Sequence, residues 1–238
     1  MADQPRLFGR TTDDLTAATL ELGESNLAAW TMIGRWRNWP NGTLALIGPQ
    51  GAGKTHMACA WAQGVQAAVW DGATRALDAF EAAGRRLVID DADRFSDEPH
   101  LALLLDTVRT EGGALLLTAQ EPPRTWSVAL RDLRSRLAAV AVERVGEPDD
   151  ALLSRVLIRL CKARFIKLSD KAATYLIAHM ERSFAAAHAV AEAIDRVHVR
   201  GSRPISVPIA ARALQSLGLD PPDPGGSEEA PDLSPEDA

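Results

Sequence analysis

Between a short apolar run and a helical pattern the chain reads GPQGAGKT, Gly48 to Thr55. Three glycines, a lysine and a hydroxyl at these offsets suit the holding of a polyphosphate. The glycines let the backbone curl so that successive N–H groups face phosphate oxygens, at the positive end of a helix that begins beside Gly53. The run matches G-x-x-x-x-G-K-[ST] at every specified position. Lys54 is then placed to reach the β- and γ-phosphates, and the Thr55 hydroxyl to ligate Mg²⁺. A chance match on a glycine-rich turn is the competing reading, and the position between strand and helix stands against it.

Further polar groups fall at strand ends. LVIDDAD, Leu87 to Asp93, is an apolar run ending in paired carboxylates about 35 residues after the loop. An acid there can hold Mg²⁺, a role for Asp90, while Asp91 can orient or deprotonate a water. Taken alone, such a pair is more often a helix cap; behind a phosphate loop the site reading is favoured. LLLTAQEPPRTW, Leu115 to Trp126, puts Thr118 and Gln120 at the edge of the next strand, where open α/β sheets bind ligands. Thr118 there senses phosphate or water, or is an ordinary polar strand end. LRDLRSRL, Leu130 to Leu137, offers Arg131, Arg134 and Arg136. They form a solvated basic face, or one of them supplies positive charge to a transferring phosphoryl group.

These groups need a scaffold that gathers strand ends. Apolar runs at 43–48, 67–70, 86–91 and 114–119 alternate with helical patterns at 53–63, 74–83 and 98–111. The alternation predicts right-handed βαβ units and an α/β fold with a mostly parallel, buried sheet. Before the first strand, SNLAAWTMIGRWRNWPNG reads as a helix. It puts Leu27, Trp30, Ile33 and Trp36 or Arg37 on one side, with Ser25 or Asn26 as N-cap. Around residues 146–150 the alternation stops, and helical patterns follow at 148–164, 169–181, 184–198 and 206–217, with caps expected in Leu168-Ser169-Asp170 and at Ser206. The expected organisation is an N-terminal segment, 1–22, an α/β nucleotide-binding domain, 23–146, a small all-α domain, 147–218, and an acidic disordered tail, 219–238.

The formal charge of −6 comes from that tail: Asp220 to Ala238 holds seven acids and no base, and subtracting them leaves +1. A near-neutral body implies no strongly basic face, so direct DNA binding is expected to be weak or absent. Trp36, Trp39 and Trp126 read as core or interface residues rather than platforms for stacked bases. Cys59 and Cys161 are spaced for no metal site and fit buried, reduced thiols of a cytoplasmic protein. No apolar run is long enough for a membrane span, and no secretory signal is expected.

Several stretches together, NLAAWTMIGRW, LALIGPQGAGKTHMACAWA, LVIDDAD, LLLTAQEPPRTW and DLRSRL, resemble the AAA+ ATPases over residues 26–137. Within them the resemblance is to the DnaA-related branch and its Hda type, short homologues that inactivate the replication initiator DnaA. It implies an AAA+ α/β domain with a small all-α lid. It also implies ADP or ATP bound by Gly48, Pro49, Gln50, Gly51, Ala52, Gly53, Lys54, Thr55, His56, Asp90 and Thr118, with Mg²⁺ on Thr55 and Asp90. Arg136, by its place in Ser-Arg-Leu, matches the arginine finger that enters the ATP site of DnaA and promotes hydrolysis there. The family's lid arginine falls on Ala185. Either Arg182, one turn earlier, makes that nucleotide contact or the contact is missing, so weak or absent turnover by this chain is expected. ADP is the implied working nucleotide, and the implied place is the cytoplasm, at the nucleoid and replisome. A homo-oligomer is left open. The alternative is a helicase-loader-like or remodelling ATPase acting on single-stranded DNA or a replication partner; a third reading is a nucleotide-binding scaffold with no effect on hydrolysis.

One N-terminal stretch belongs to no element. Gln4, Leu7 and Phe8 in QPRLF have a spacing that resembles the peptide by which bacterial replication proteins bind the sliding clamp, the DNA polymerase III β subunit. A glutamine and an aromatic anchor suit a preformed pocket. Stapling against the protein's own core is the other reading.

Overall fold

The computed structural model describes residues 15–197 and 204–221; Gln4, Leu7 and Phe8, and the tail beyond residue 221, lie outside them. The chain divides between Leu152 and Leu153 into two compact units.

In the first unit β1 (Thr43–Ile47), β2 (Ala68–Val69), β3 (Arg86–Ile89), β4 (Ala114–Ala119) and β5 (Ala141–Arg144) form one sheet. Its order is β2-β3-β4-β1-β5 and every pairing is parallel. The helices are α1 (Glu24–Gly34), α2 (Lys54–Val65), α3 (Ala76–Ala82), α4 (Glu98–Glu111) and α5 (Arg131–Ala138). All residues of β1 and β4 are buried, as central strands covered on both faces must be. Successive side chains alternate between two cores. Ala45, Ile47, Leu87, Ile89, Leu115 and Leu117 pack with Phe80 of α3, Leu101, Leu104 and Val108 of α4, and Leu133 and Leu137 of α5. Leu44, Leu46, Val88 and Leu116 face Ile33 of α1 and Met57, Ala58 and Trp61 of α2. Each fully buried leucine contributes about 1.5–3 kcal/mol relative to exposure. Trp36 and Trp39 stack around Trp61 at ring distances of 6.4 and 5.2 Å, and Trp126 packs against the other core.

Two local expectations differ from the structure. The fifth strand is absent from the sequence reading because Ala-Val-Glu-Arg offers only two apolar residues before two charged ones, too short a run to signal a strand, and it lies half exposed at the edge of the sheet. The buried face of α1 is Asn26, Ala29 and Ile33, leaving Leu27 52% exposed. Helix α1 starts at Glu24 with Gly23 as N-cap rather than Ser25 or Asn26. Asn26 is instead the buried side of the cap, accepting the Gly23 N–H at 2.9 Å and donating to the Glu21 carbonyl at 3.0 Å.

Helix α6 (Asp150–Ala163) crosses the division, and the second unit continues as α7 (Asp170–His179), α8 (Phe184–Val197) and α9 (Val207–Gln215). Their small apolar faces, Ala172, Leu176, Ala187, Val190, Ala191, Ala210 and Leu214, are buried. Ser169 caps α7 by accepting the Ala172 N–H at 3.3 Å, while Ser206 stands at the N-cap of α9 without a side-chain bond. Among the described residues no helix is long and apolar enough to cross a membrane.

Candidate nucleotide site

The loop Gly48–Gly53 joins β1 to α2 at the C-terminal edge of the sheet. Gly53 caps α2 with φ 92°, a left-handed backbone that residues with a Cβ seldom adopt. At Gly48 space decides: a Cβ would lie 2.2 Å from the Val145 carbonyl oxygen. The loop therefore passes against the end of β5 and leads directly into α2, whose first N–H groups have no intrahelical acceptor. Lys54 is 7% exposed, and its Nζ donates to the carbonyls of Gly48 and Pro49 at 2.8 Å each. Burial lowers its pKa, opposed by the charges of Asp91, Asp90 and Asp93.

Register brings the second and third strand ends to the loop. Leu117 of β4 pairs with Ile89 of β3, so Thr118 lies beside Asp90. Leu46 of β1 pairs with Thr118 on its other side. Period-2 alternation turns Thr118 toward the face that holds Leu116, and Asp90 toward the face that holds Val88, which is the α2 side. Thr55 of α2 meets them there, donating to the two Asp90 oxygens at 3.1 and 2.9 Å. Thr118, fully buried, donates to Asp90 Oδ1 and accepts the Asp91 N–H at 2.9 Å. Asp90 is thereby pointed at the hydroxyl expected to share a metal with it.

Asp91 turns away through a left-handed backbone, φ 48° and ψ 47°. Its pKa is raised by burial first and then by Asp90, with Arg94 opposing from 3.8 Å. A raised pKa suits a group that takes a proton from water.

These residues fit a magnesium nucleotide. The loop supplies a backbone cradle and a buried ammonium, and Thr55 with Asp90 supplies two oxygen donors side by side. Among the described residues no cluster of three His, Cys, Asp or Glu is arranged to hold a metal. Mg²⁺ bound here would thus depend on phosphate oxygens and water for its remaining ligands. Lys54 would neutralise phosphate charge, and Asp91 would receive a proton.

The His56 ring reaches the segment ahead of α1: its Nε2 lies 2.9 Å from the Thr16 carbonyl and 3.1 Å from Thr19 Oγ1. It connects the first turn of α2 to the segment ahead of α1, a tie the sequence does not signal. Asp93, the last residue of Leu-Val-Ile-Asp-Asp-Ala-Asp, has a role that the sequence does not signal. Its Oδ2 accepts the Gln120 N–H at 3.2 Å, bracing the end of β4, while its buried Oδ1 has no hydrogen-bond partner among the described residues.

Arg136 is not joined to this cluster. It lies near the end of α5, and its ion-pair partners are Asp106 of α4 at 3.5 Å and Asp132 at 3.8 Å. Arg134 donates to the Val128 carbonyl at 2.8 Å. Glu98, the first residue of α4, accepts the N–H groups of Ala129 and Leu130 at 2.8 to 3.0 Å and so holds the start of α5. In the second unit Arg182 is exposed in the turn before α8, followed by Ser183, which caps that helix, and by Ala185 in its first turn.

No family model matches the sequence, and no curated protein is recognisably similar to it. Solved structures are. Domain III of the Thermotoga maritima replication initiation protein DnaA aligns over 85% of this chain and 96% of its own, with TM-score 0.69 and 14% identity. The T. maritima RuvB Holliday junction branch migration motor aligns over 84% and 72%, with TM-score 0.62 and 17% identity. AMPPCP-bound DnaA from Aquifex aeolicus aligns over 71% and 61%, with TM-score 0.55 and 16% identity. At these identities the likeness shows architecture alone: this chain shares the α/β fold of the DnaA and RuvB structures.

Proposed function

We propose that this protein is a negative regulator of replication initiation that binds ADP or ATP with Mg²⁺, works with ADP bound, and stimulates ATP hydrolysis by DnaA. Arg136 is the group it lends, as an arginine finger in trans. Gln4, Leu7 and Phe8 tether it to the DNA-loaded sliding clamp. The observation that carries this reading is the separation of roles within one unit. Thr55, Asp90 and Thr118 form one connected hydrogen-bonded cluster, while Arg136 stands on α5 in ion pairs with Asp106 and Asp132. An arginine placed on its own helix, outside the hydrogen-bond network of its own loop, suits a neighbour's phosphates, where such a group is worth several kcal/mol. The likeness to DnaA domain III supports a partner of the same architecture.

The deciding experiment measures ATP hydrolysis by DnaA with this protein, with and without DNA-loaded clamp. Stimulation that needs the clamp and disappears with Arg136→Ala is expected; no stimulation by the unaltered protein refutes the reading. Gln4→Ala with Phe8→Ala is expected to abolish clamp pull-down while ADP still raises the melting temperature by mass action. A second reading, a remodelling ATPase on single-stranded DNA, draws on the likeness to the RuvB branch migration motor and to a DnaA structure with AMPPCP and single-stranded DNA bound. Tight, salt-sensitive binding of single-stranded DNA without clamp would select it.

A further inference from the structure

Asp106 on α4 is shared by two arginines. Arg109 Nη2 donates to its Oδ1 at 2.7 Å, and Arg136 Nη2 stands 3.5 Å from the same oxygen. Arg136 Nη1 is also 3.8 Å from Asp132 Oδ2. The Arg136 side chain is 32% exposed, in a shallow groove between α4 and α5 flanked by the exposed Leu103 and Leu130. The contacts are unequal. Arg109 makes a full charge-assisted hydrogen bond, whereas Arg136 Nη2, at 3.5 Å, stands at the outer limit of one and Nη1, at 3.8 Å, makes only an ion pair. Such pairs near solvent hold weakly. Departure of Arg136 would leave Asp106 still paired with Arg109, so it strands no charge.

Resting on the reading of Arg136 as a finger for a partner's phosphates, we infer that Asp106 sets how readily Arg136 answers a partner that bears a nucleoside triphosphate. It parks the guanidinium in the groove, with Asp132 assisting. A partner bearing a nucleoside triphosphate presents enough negative charge to draw Arg136 away; one bearing a diphosphate lacks the γ-phosphate and leaves it parked. Arg109 weakens the hold by competing for the same carboxylate.

The test titrates DnaA, loaded with ATP or with ADP, with the full chain on clamp-loaded DNA, reading both hydrolysis and DnaA binding. Asp106→Ala is expected to lower the half-saturating concentration of ATP-loaded DnaA about threefold, the size of a surface ion pair, and to leave that of ADP-loaded DnaA unchanged, so that the preference for ATP-loaded DnaA widens by a similar factor. Arg109→Ala, which leaves Asp106 to Arg136 alone, is expected to shift both quantities the other way. Asp106→Asn removes the charge while keeping the shape, so it serves where the alanine variant fails to fold. A merely structural role for this cluster would impair every variant alike. Shifts of the same sign in the Asp106 and Arg109 variants, or an unchanged preference in both, overturn the proposal. Full stimulation by Arg136→Ala sinks the finger reading itself, whereas lost stimulation there beside unshifted Asp106 and Arg109 variants sinks only the parking role.

Discussion

Thr118 Oγ1 stands between the two acids that follow β3, accepting the Asp91 N–H at 2.9 Å and donating to an oxygen of Asp90. One buried hydroxyl thus fixes the direction of the carboxylate and the backbone that carries its neighbour.

Thr118→Val keeps the shape and removes both bonds, leaving the Asp91 N–H without its acceptor. A loss of about 1–3 kcal/mol in urea unfolding is expected, the cost of an unsatisfied buried partner. Magnesium-dependent nucleotide affinity, measured by calorimetry, is expected to fall with it, and Thr118→Ser to retain most of both. Equal affinity for Thr118→Val and the unaltered chain would show that Asp90 is positioned without this hydroxyl.

Gly48→Ala sets a methyl group 2.2 Å from the Val145 carbonyl, which is backbone and cannot swing aside. The loop and the end of β5 must part, at about 1–3 kcal/mol. Chemical denaturation checks the cost, and loss of ADP-induced thermal stabilisation checks the displaced loop.

Asp91→Asn is expected to stabilise the fold near neutrality while abolishing any hydrolysis by this chain. Asparagine tolerates the left-handed backbone at φ 48°. The sign follows from the raised folded pKa of Asp91: the folded form holds its proton longer, so ionisation destabilises the fold as pH rises from the ordinary 3.8 through the folded value, and the penalty persists above it. The advantage of the asparagine variant in thermal melts should therefore be present at neutral pH and vanish toward pH 3.8. An advantage independent of pH would mean that burial and the charge of Asp90 are not its cause.

Glu98 behaves in the opposite sense. The Ala129 and Leu130 N–H groups hold its folded pKa below the ordinary 4.5, so its contribution is complete above 4.5 and is lost as pH falls through the folded value. Glu98→Ala should melt below the unaltered chain at neutral pH and converge with it in acid. Glu98→Gln, which retains an acceptor for the start of α5, should lie between them. A gap that survives into acid would assign the loss to packing.

Much of this architecture is legible because the signals are local. The strands of the two cores are continuous apolar runs, and four of the five are evident; β5 is hidden because an edge strand of four residues carries Glu143 and Arg144. The helices of the second unit follow their apolar periodicity to within a few residues. Helix α1 misleads in part: Ile33 is buried as its spacing implies, but Leu27 is 52% exposed while Asn26 is buried and caps the helix. His56 sits beside Lys54 and Thr55 in sequence, while its ring reaches Thr16 and Thr19, about 40 residues away.

By itself the sequence determined the phosphate loop, since its chemistry is that of contiguous backbone N–H groups with one lysine and one hydroxyl at the start of a helix. It likewise determined the α/β alternation, which hydrophobic period and length encode segment by segment. Only the tertiary structure decided that Thr118 meets Asp90 and that Arg136 meets Asp106. The Thr118 contact depends on strand order and register, and the Asp106 contact on how α4 packs beside α5. Both are settled by burying two faces of one sheet at once, which no single segment specifies.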